Sequence, residues 1–449
     1  MNLLENSPQE TIKTIESKYD LQSITCHDTH VWDFLRYNLF FELEKQYYKL
    51  EDSYQLKKYW NIPYNKMWKN GNVNNNSIMF FTDIHEQRKL NKHMIDKLGH
   101  NIINTFFTDT LTVIHPLNNR IKGDYLYNAI SSNQFYPFFN RSNEINNISI
   151  LNELQKNVLD LPFESWINKF FSIFKNANKF FKNNSVKTIF VNCYYHLFHQ
   201  AIIYAAKLNN IKVLEIQHGI IHSNQYYYNP SYRGNKMFLP DYLLAHNQYV
   251  QNHINKNYLS SSQIIPFGNY YLEYKINTIP RAVKLKGMKR FKKKILISHQ
   301  SSVEKSLLNT IDKLGLKNPQ QCFLILMRNE KKSTYQFHAK NVFIINEVDI
   351  YDLMQSCDLH ISIYSTMILE TLYAGIPNIL INKEYISEHY FAQIIKPSNN
   401  VWYVNDVEKI CDLIKQWPFD AKDIIKKKYN YLFYKNQQEQ MHIIQDIMK

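Results

Sequence analysis

Apolar residues fall along this chain in two rhythms. Over residues 8–60 they recur at helical spacing, with Trp32, Phe34, Leu35, Tyr37, Phe40 and Phe41 interleaved among polar positions, and a helical segment is expected there. From Ser77 the texture changes to short β-rich runs separated by helix-length stretches. Runs at 78–82, 111–114 and 188–192 read as strands; after a helical stretch near 196–208, further strands are expected at 212–216, 242–245 and 263–267. A second series of the same kind covers 294–298, 323–326, 342–345, 359–363 and 378–381, and the last segment, from Asp420, reads as one or two helices. Strands alternating with helix-length connections predict parallel βαβ units, hence an α/β protein.

At 449 residues the chain is too long for one ordinary core, and two α/β halves are expected. The boundaries read as a helical segment at 1–76 packed on the first domain, a first Rossmann-like domain at 77–280, a basic linker at 281–293, a second Rossmann-like domain at 294–419 and C-terminal helices at 420–449. No apolar run reaches the roughly 18 residues of a membrane span, and Met1–Asn6 lacks a basic region followed by an apolar core, so a cytoplasmic protein is expected. The five cysteines are odd in number and scattered, without a C-x-x-C pair, which argues against a disulfide framework or a zinc cluster.

The net charge of +14 favours a polyanionic partner, although abundant Lys, Asn, Ile and Tyr together point to compositional drift. A nucleic-acid-binding protein is the competing class; no helix-turn-helix, RNP-like or zinc-finger pattern supports it, so nucleic acid is not expected as a partner. The basic run at 281–294, and the helix-like stretch in which Phe163, Trp166, Phe170, Phe171, Phe174, Phe180 and Phe181 alternate with Lys169, Lys175, Lys179 and Lys182, would suit an anionic membrane surface. A solvated linker and a core-facing helix are the plainer readings of the same residues.

The densest chemical signal is 361–370, Ile-Ser-Ile-Tyr-Ser-Thr-Met-Ile-Leu-Glu, followed by Ala374-Gly375-Ile376-Pro377. A β-rich run ends in two hydroxyls, a helix opens, and a carboxylate follows within about a turn. Ser365 and Thr366 can cap that helix and leave free N–H groups facing a diphosphate, and Glu370 can accept hydrogen bonds from a ribose or sugar. An ordinary N-cap with a solvated Glu has the same spacing. Only nine glycines occur, and those in Gln217-His218-Gly219, Phe267-Gly268-Asn269 and Ala374-Gly375-Ile376-Pro377 each follow a β-like run, where a ligand could approach the backbone.

The order of these motifs resembles the GT-B glycosyltransferases of bacterial capsule and lipopolysaccharide synthesis. In the C-terminal half the resemblance lies in Asp349-x-x-Asp352, Cys357-Asp358-Leu359, Tyr364-Ser365-Thr366, Leu369-Glu370 and Gly375-Ile376-Pro377. In the N-terminal half it lies in Trp32-x-x-x-Arg36, Glu215-Ile216-Gln217-His218-Gly219, Pro240-Asp241-Tyr242-Leu243-Leu244-Ala245 and Phe267-Gly268-Asn269. His246-Asn247 stands where such proteins often carry Trp-Gly, and Met327-Arg328-Asn329-Glu330 where many carry K-x-H-P, so either Arg328 substitutes as the cation for the donor phosphate or the donor differs. The resemblance implies two Rossmann-like domains facing a cleft, acceptor on the N-terminal side and nucleotide-sugar donor on the C-terminal side.

Within that frame His218, directly after a strand and held by Gly219, is the candidate base, with Gln217 beside it and Glu215 as support inside the strand. A structural histidine bonded to backbone would look the same. Asp83, after the first strand, is the second candidate base, with Arg88 and Lys89 as contacts for an acceptor anion; a helix cap is its plainer reading. Ser301 and Ser302, in His299-Gln300-Ser301-Ser302, can offer hydroxyls and backbone N–H groups to phosphate. No D-x-D occurs in the chain, so an inverting, metal-independent transfer from a nucleotide-sugar to a glycan or lipid-linked acceptor is expected, with no cofactor. A CDP-polyol phosphotransferase of teichoic-acid-like synthesis is the nearest alternative, but the His-Gly-Thr-x-x-Lys pattern expected of it is missing after Gln217.

Overall fold

The computed structural model describes residues 6–50, 77–81, 111–114, 144–183, 186–191, 193–277, 288–327, 335–345, 348 and 350–448. Asp83, Arg88, Lys89, Arg328 and residues 281–287 of the basic run lie outside them. The strands in chain order are β1 (Thr25–Cys26), β2 (Thr29–His30), β3 (Ser77–Phe81), β4 (Leu111–Ile114), β5 (Ile145–Asn146), β6 (Val186–Val191), β7 (Lys212–Ile216), β8 (Tyr242–Ala245) and β9 (Ile264–Pro266). They continue with β10 (Lys293–Ser298), β11 (Gln321–Leu326), β12 (Val342–Ile345), β13 (Leu359–Ser362), β14 (Asn378–Ile381) and β15 (Val401–Val404). The chain forms two compact units: Met1–Tyr48, Tyr54–Pro266 and Gln438–Lys449 in one, Lys49–Ser53 and Phe267–Gln437 in the other.

The first unit is built on a parallel sheet in the order β4-β3-β6-β7-β8-β9. Parallel neighbours require long crossovers, which the helices Leu197–Leu208 and Gln248–His253 supply between β6 and β7 and between β8 and β9. Of the expected helical stretch at 8–60, residues 51–60 lie outside the described residues, and the rest is two helices, Pro8–Lys18 and Trp32–Tyr47, separated by a hairpin of β1 and β2 that the pattern did not reveal. The first helix starts where Ser7 and Glu10 form a capping box with Pro8 at the first position, a signal worth about 1 kcal/mol.

Helix Phe163–Lys182 turns its aromatic residues inward: Phe163, Trp166, Phe170, Phe171, Phe180 and Phe181 are buried, and Lys175, Lys179 and Lys182 are exposed. Phe170 stacks on Phe34 with ring centroids 4.0 Å apart. The amphipathic pattern is therefore that of a core-facing helix. Among the described residues no helix is long and apolar enough to cross a membrane.

The second unit has a parallel sheet in the order β12-β11-β10-β13-β14-β15, the 3-2-1-4-5-6 order of the doubly wound dinucleotide-binding folds. Its central strands carry unbroken apolar runs because both faces are covered; Ile295, Leu296 and Ile297 are fully buried. The sixth strand, β15, was not among the expected ones. The order reverses between β10 and β13, so the loops at the carboxyl ends of those two strands flank the switch point at which such sheets bind ligands.

The two units register their central strands with the same device. Asp241, just before β8, accepts from the Val213 N–H of β7 at 2.8 Å while its own N–H donates to the Val213 carbonyl at 2.8 Å. Asp358, just before β13, does the same to Lys294 of β10, at 2.9 and 2.8 Å. Both aspartates of the sequence motifs are thus strand clasps at the amino ends of the sheets.

Candidate functional site

At the carboxyl end of β7 the chain places Glu215, Gln217 and His218 in different surroundings. His218 is exposed, whereas Gln217 is buried, and Gln217 holds the loop from two sides. Its amide nitrogen donates to the Gly219 carbonyl at 2.7 Å, and its amide oxygen accepts from the His246 N–H at 2.6 Å. The Gln217 N–H meanwhile donates to the Leu244 carbonyl of β8 at 3.0 Å, so the backbone leading into His218 is fixed against the neighbouring strand.

His246 closes this lock. Its Nε2 lies 3.1 Å from the Gln217 carbonyl, which can only accept, so the imidazole carries its proton on Nε2. Burial, opposed by that hydrogen bond and reinforced by neighbouring His218, brings its pKa down to about 3, and the ring is neutral at physiological pH. Asn247 accepts from the Val250 N–H at 3.3 Å and caps helix Gln248–His253. The pair His246-Asn247, which departs from the Trp-Gly of the resembling proteins, thus braces the His218 loop and starts a helix.

Glu215 is fully buried and gathers three loops around one carboxylate. Oε1 accepts from the Tyr194 N–H at 3.1 Å and from the Tyr228 hydroxyl at 2.8 Å, and Oε2 accepts from the Tyr258 hydroxyl. Burial raises its pKa to about 7 against the lowering by those hydrogen bonds. Tyr195, next to the Tyr194 that Glu215 anchors, brings its ring to within 6.3 Å of the His218 ring and stacks on Tyr227 at 4.1 Å. Glu215 therefore holds the tyrosine wall beside His218.

In the second unit the loops after β10 and β13 are joined across the switch point. Gln300, buried, accepts from the Tyr364 N–H at 3.0 Å, and the hydroxyls of Ser302 and Tyr364 are hydrogen-bonded. Ser301 and Ser302 are half-buried at this junction. Ser365 is buried, and its hydroxyl accepts from the Met367 N–H at 3.3 Å; Thr366 is already helical in its backbone and its side chain caps nothing. The helix it opens, Met367–Tyr373, spans two turns. Glu370, half-buried on that helix, accepts from the Tyr351 hydroxyl at 3.3 Å. Gln300, Tyr351 and Tyr364 were given no role by the sequence reading; Gln300 and Tyr364 lie inside the motif runs but pair with each other across some 64 residues, and Tyr351 meets Glu370 across some 19.

Two of the three motif glycines lie against the chain's own backbone. Gly268 has φ +84°, and a Cβ there would lie 2.2 Å from the Tyr434 carbonyl oxygen; Gly375 has φ +85°, and a Cβ there would lie 2.4 Å from the Lys422 carbonyl oxygen. What approaches these backbones is the C-terminal stretch of the chain itself. Asn269 follows as the cap of helix Tyr270–Asn277, accepting from the Leu272 N–H at 3.1 Å. The Trp32 and Arg36 motif is also structural: Trp32 donates to Glu16 at 3.1 Å, and fully buried Arg36 donates to the Tyr37 hydroxyl at 2.8 Å. Among the described residues no group of three His, Cys, Asp or Glu side chains is placed to hold a metal ion.

No protein-family model matches the chain, and no curated protein matches its sequence. Solved structures do match its fold. A UDP-GlcNAc 2-epimerase from Neisseria meningitidis bound to UDP-GlcNAc aligns with TM-score 0.51 and 14% identity over 83% of this chain and 98% of its own. The S. aureus MnaA–UDP co-structure aligns with TM-score 0.55 and 9% identity over 83% and 96%. A UDP-N-acetylglucosamine 2-epimerase from Rickettsia bellii aligns with TM-score 0.52 and 10% identity over 84% and 97%. At such identities the likeness speaks for architecture alone, and the architecture is that of the GT-B fold, with two Rossmann-like units in one chain.

Proposed function

We propose that the protein is a glycosyltransferase that moves a sugar from a nucleotide-activated donor to a growing surface polysaccharide or lipid-linked glycan. The observation that carries this reading is the switch point of the second unit, where the bonded loops after β10 and β13 deliver Ser301, Ser302, Ser365, Thr366 and Glu370 to one edge of a doubly wound sheet. Backbone N–H groups and hydroxyls at such an edge suit a diphosphate, and a carboxylate one turn into the helix suits the ribose. Arg328 is the proposed cation for the leaving phosphate.

On the acceptor side, His218 is the proposed base, exposed at a strand end on a loop that Gln217 and His246 hold rigid. Taking the acceptor proton as the new bond forms, and stabilising the departing diphosphate in the second unit, would together perform an inverting transfer. Asp83, with Arg88 and Lys89, is the second proposal for the acceptor side. The reaction is proposed to run without a metal ion, since no D-x-D occurs in the sequence. Contact with an anionic membrane, which would bring a lipid-linked acceptor within reach, is proposed for the basic 281–294 run.

A thermal-shift screen against UDP, GDP, CMP, CDP and dTDP tests the donor half of this reading. A ligand at about 100 times its dissociation constant stabilises the folded protein by roughly 2.7 kcal/mol, a readily visible shift. Uridine and cytidine diphosphates separate a sugar donor from a polyol-phosphate donor. Incubating the preferred nucleotide-sugar with the enzyme alone separates transfer from epimerisation: a transferase leaves the sugar's configuration intact without an acceptor.

A further inference from the structure

Tyr385 is the most exposed large apolar side chain among the described residues, at 69%. Its backbone has φ +57°, and that of Glu384 before it φ +47°, so two consecutive side-chain-bearing residues sit in the left-handed region. The comparable pair, His27 and Asp28, makes the two-residue turn of the β1–β2 hairpin, where that geometry is what the strands demand. Glu384 and Tyr385 join β14 to helix Ile386–Phe391, a connection with no such demand.

The turn is held in place from several directions. The buried Ser387 hydroxyl bonds to the carbonyls of Ile363 at 2.7 Å and Ile381 at 2.9 Å, tying the turn to the carboxyl ends of β13 and β14. Asn382 accepts from the Glu388 N–H at 3.2 Å, and Glu384 pairs with Lys49 at 3.0 Å. On the same short helix Tyr390 stacks on Tyr364, with centroids 5.4 Å apart and planes 26° apart. Tyr385 is thus presented to solvent by a backbone fixed against the very loop that carries Tyr364, Ser365 and Thr366. Strained geometry of this kind persists where the surroundings over-determine it, and it concentrates at ligand sites.

We propose that Tyr385 is a stacking platform for the apolar face of the sugar ring carried by the donor, an inference that rests on the donor site proposed above. Glu370, the ribose acceptor of that site, is bonded to Tyr351 on the crossover from β12 to β13. The turn at 382–385 leaves β14, the neighbour of β13 on the side away from β10. In this proposal the nucleoside is set toward Glu370 and the sugar, beyond a diphosphate at Ser365, toward the turn after β14. A pyranose offers one face of C–H groups, which an aromatic ring covers well, while the phenol hydroxyl at the rim can bond a ring hydroxyl.

Calorimetry on wild type and the Tyr385→Ala, Tyr385→Phe and Tyr385→Trp variants tests this, with UDP-GlcNAc, UDP-glucose and GDP-mannose as probes against their parent diphosphates UDP and GDP. The expected result is that Tyr385→Ala loses about tenfold in affinity for the preferred nucleotide-sugar while its affinity for the parent diphosphate stays at the wild-type value. Phe and Trp should restore most of the loss. Unchanged nucleotide-sugar affinity in the Ala variant, or an equal loss for the sugar nucleotide and its parent diphosphate, overturns the assignment while leaving the donor site standing. Wild-type protein that binds none of these probes and none of CMP, CDP and dTDP overturns the donor-site reading and this inference with it.

Discussion

At the carboxyl end of β7 the first unit buries an acid among phenols, whereas the second unit buries an imidazole between neutral partners in β13. Glu215 accepts from Tyr194, Tyr228 and Tyr258 and has its pKa raised to about 7 by burial. His360, also fully buried, faces the Ser298 hydroxyl and the Asn378 amide oxygen, and burial brings its pKa down to about 4 against the raising effect of the Asn378 bond. An amide oxygen only accepts, so His360 carries its proton on Nδ1 and accepts a hydrogen bond from the Ser298 hydroxyl on Nε2. The imidazole buried in β13 is therefore uncharged across the physiological range, whereas the acid buried in β7 changes charge within it. The acid, with a pKa raised to about 7, lies in the strand that leads directly to the residue proposed to take a proton.

The largest expected effect that would break this division is at His218. His218→Ala should lower turnover by about 10²–10⁴ while leaving nucleotide affinity close to wild type, because the proposed donor contacts all belong to the second unit. His218→Asn keeps one hydrogen bond but takes no proton at neutral pH. A fully active Asn variant in a steady-state assay would reduce His218 to a loop support and move the search to Asp83.

Next in size is the packing of the glycines. Gly268→Ala and Gly375→Ala each force a left-handed backbone on alanine and a clash with a carbonyl oxygen, at 2.2 and 2.4 Å. Each should cost at least about 2 kcal/mol in urea unfolding. Variants of wild-type stability with impaired ligand binding would restore the reading of these glycines as places where a ligand nears the backbone.

The pH dependence of stability sharpens the contrast between the two buried groups. Glu215 has a raised folded pKa, so its contribution is fully present below the ordinary value of 4.5 and is lost as pH rises through about 7. His360 and His246 have depressed folded pKa values, so theirs are fully present above about 6.5 and are lost as pH falls toward about 4 and about 3. Each contributes on the order of 1.4 kcal/mol per pH unit within its window. Glu215→Gln should therefore steepen the rise in stability that the two histidines produce up to about pH 6.5 and remove the fall between about pH 6.5 and 7. An unchanged urea-midpoint profile from pH 5 to 8 would mean that Glu215 is ionised throughout.

How much of this was legible beforehand follows from where each residue's partners lie. The β-branched runs at 212–216 and 378–381 announce strands from their own composition, and they are strands. β15, with its two aromatics between valines, and the two-residue strands β1 and β2 are too short or too mixed to stand out. Motif positions were visible but their tasks were not. Asp241 clasps Val213, Gln217 locks His246 and Gly268 admits Tyr434, each partner being some 28, 29 and 166 residues away, so nothing local distinguishes a clasp from a ligand contact. The same holds for Phe163–Lys182, whose amphipathic pattern fits a membrane as well as a core until Phe34 is seen stacked on Phe170.

The central claim is that the switch point between β10 and β13 holds the nucleotide diphosphate, and calorimetry with the nucleotide found by the thermal-shift screen addresses it directly. Glu370→Ala, and Ser365→Ala with Thr366→Ala, should each weaken binding by about 1–3 kcal/mol on folded protein, with Ser365 supplying most of the second effect because it alone caps the helix. Nucleotide affinity equal to wild type in both variants would contradict the claim and place the donor elsewhere in the chain.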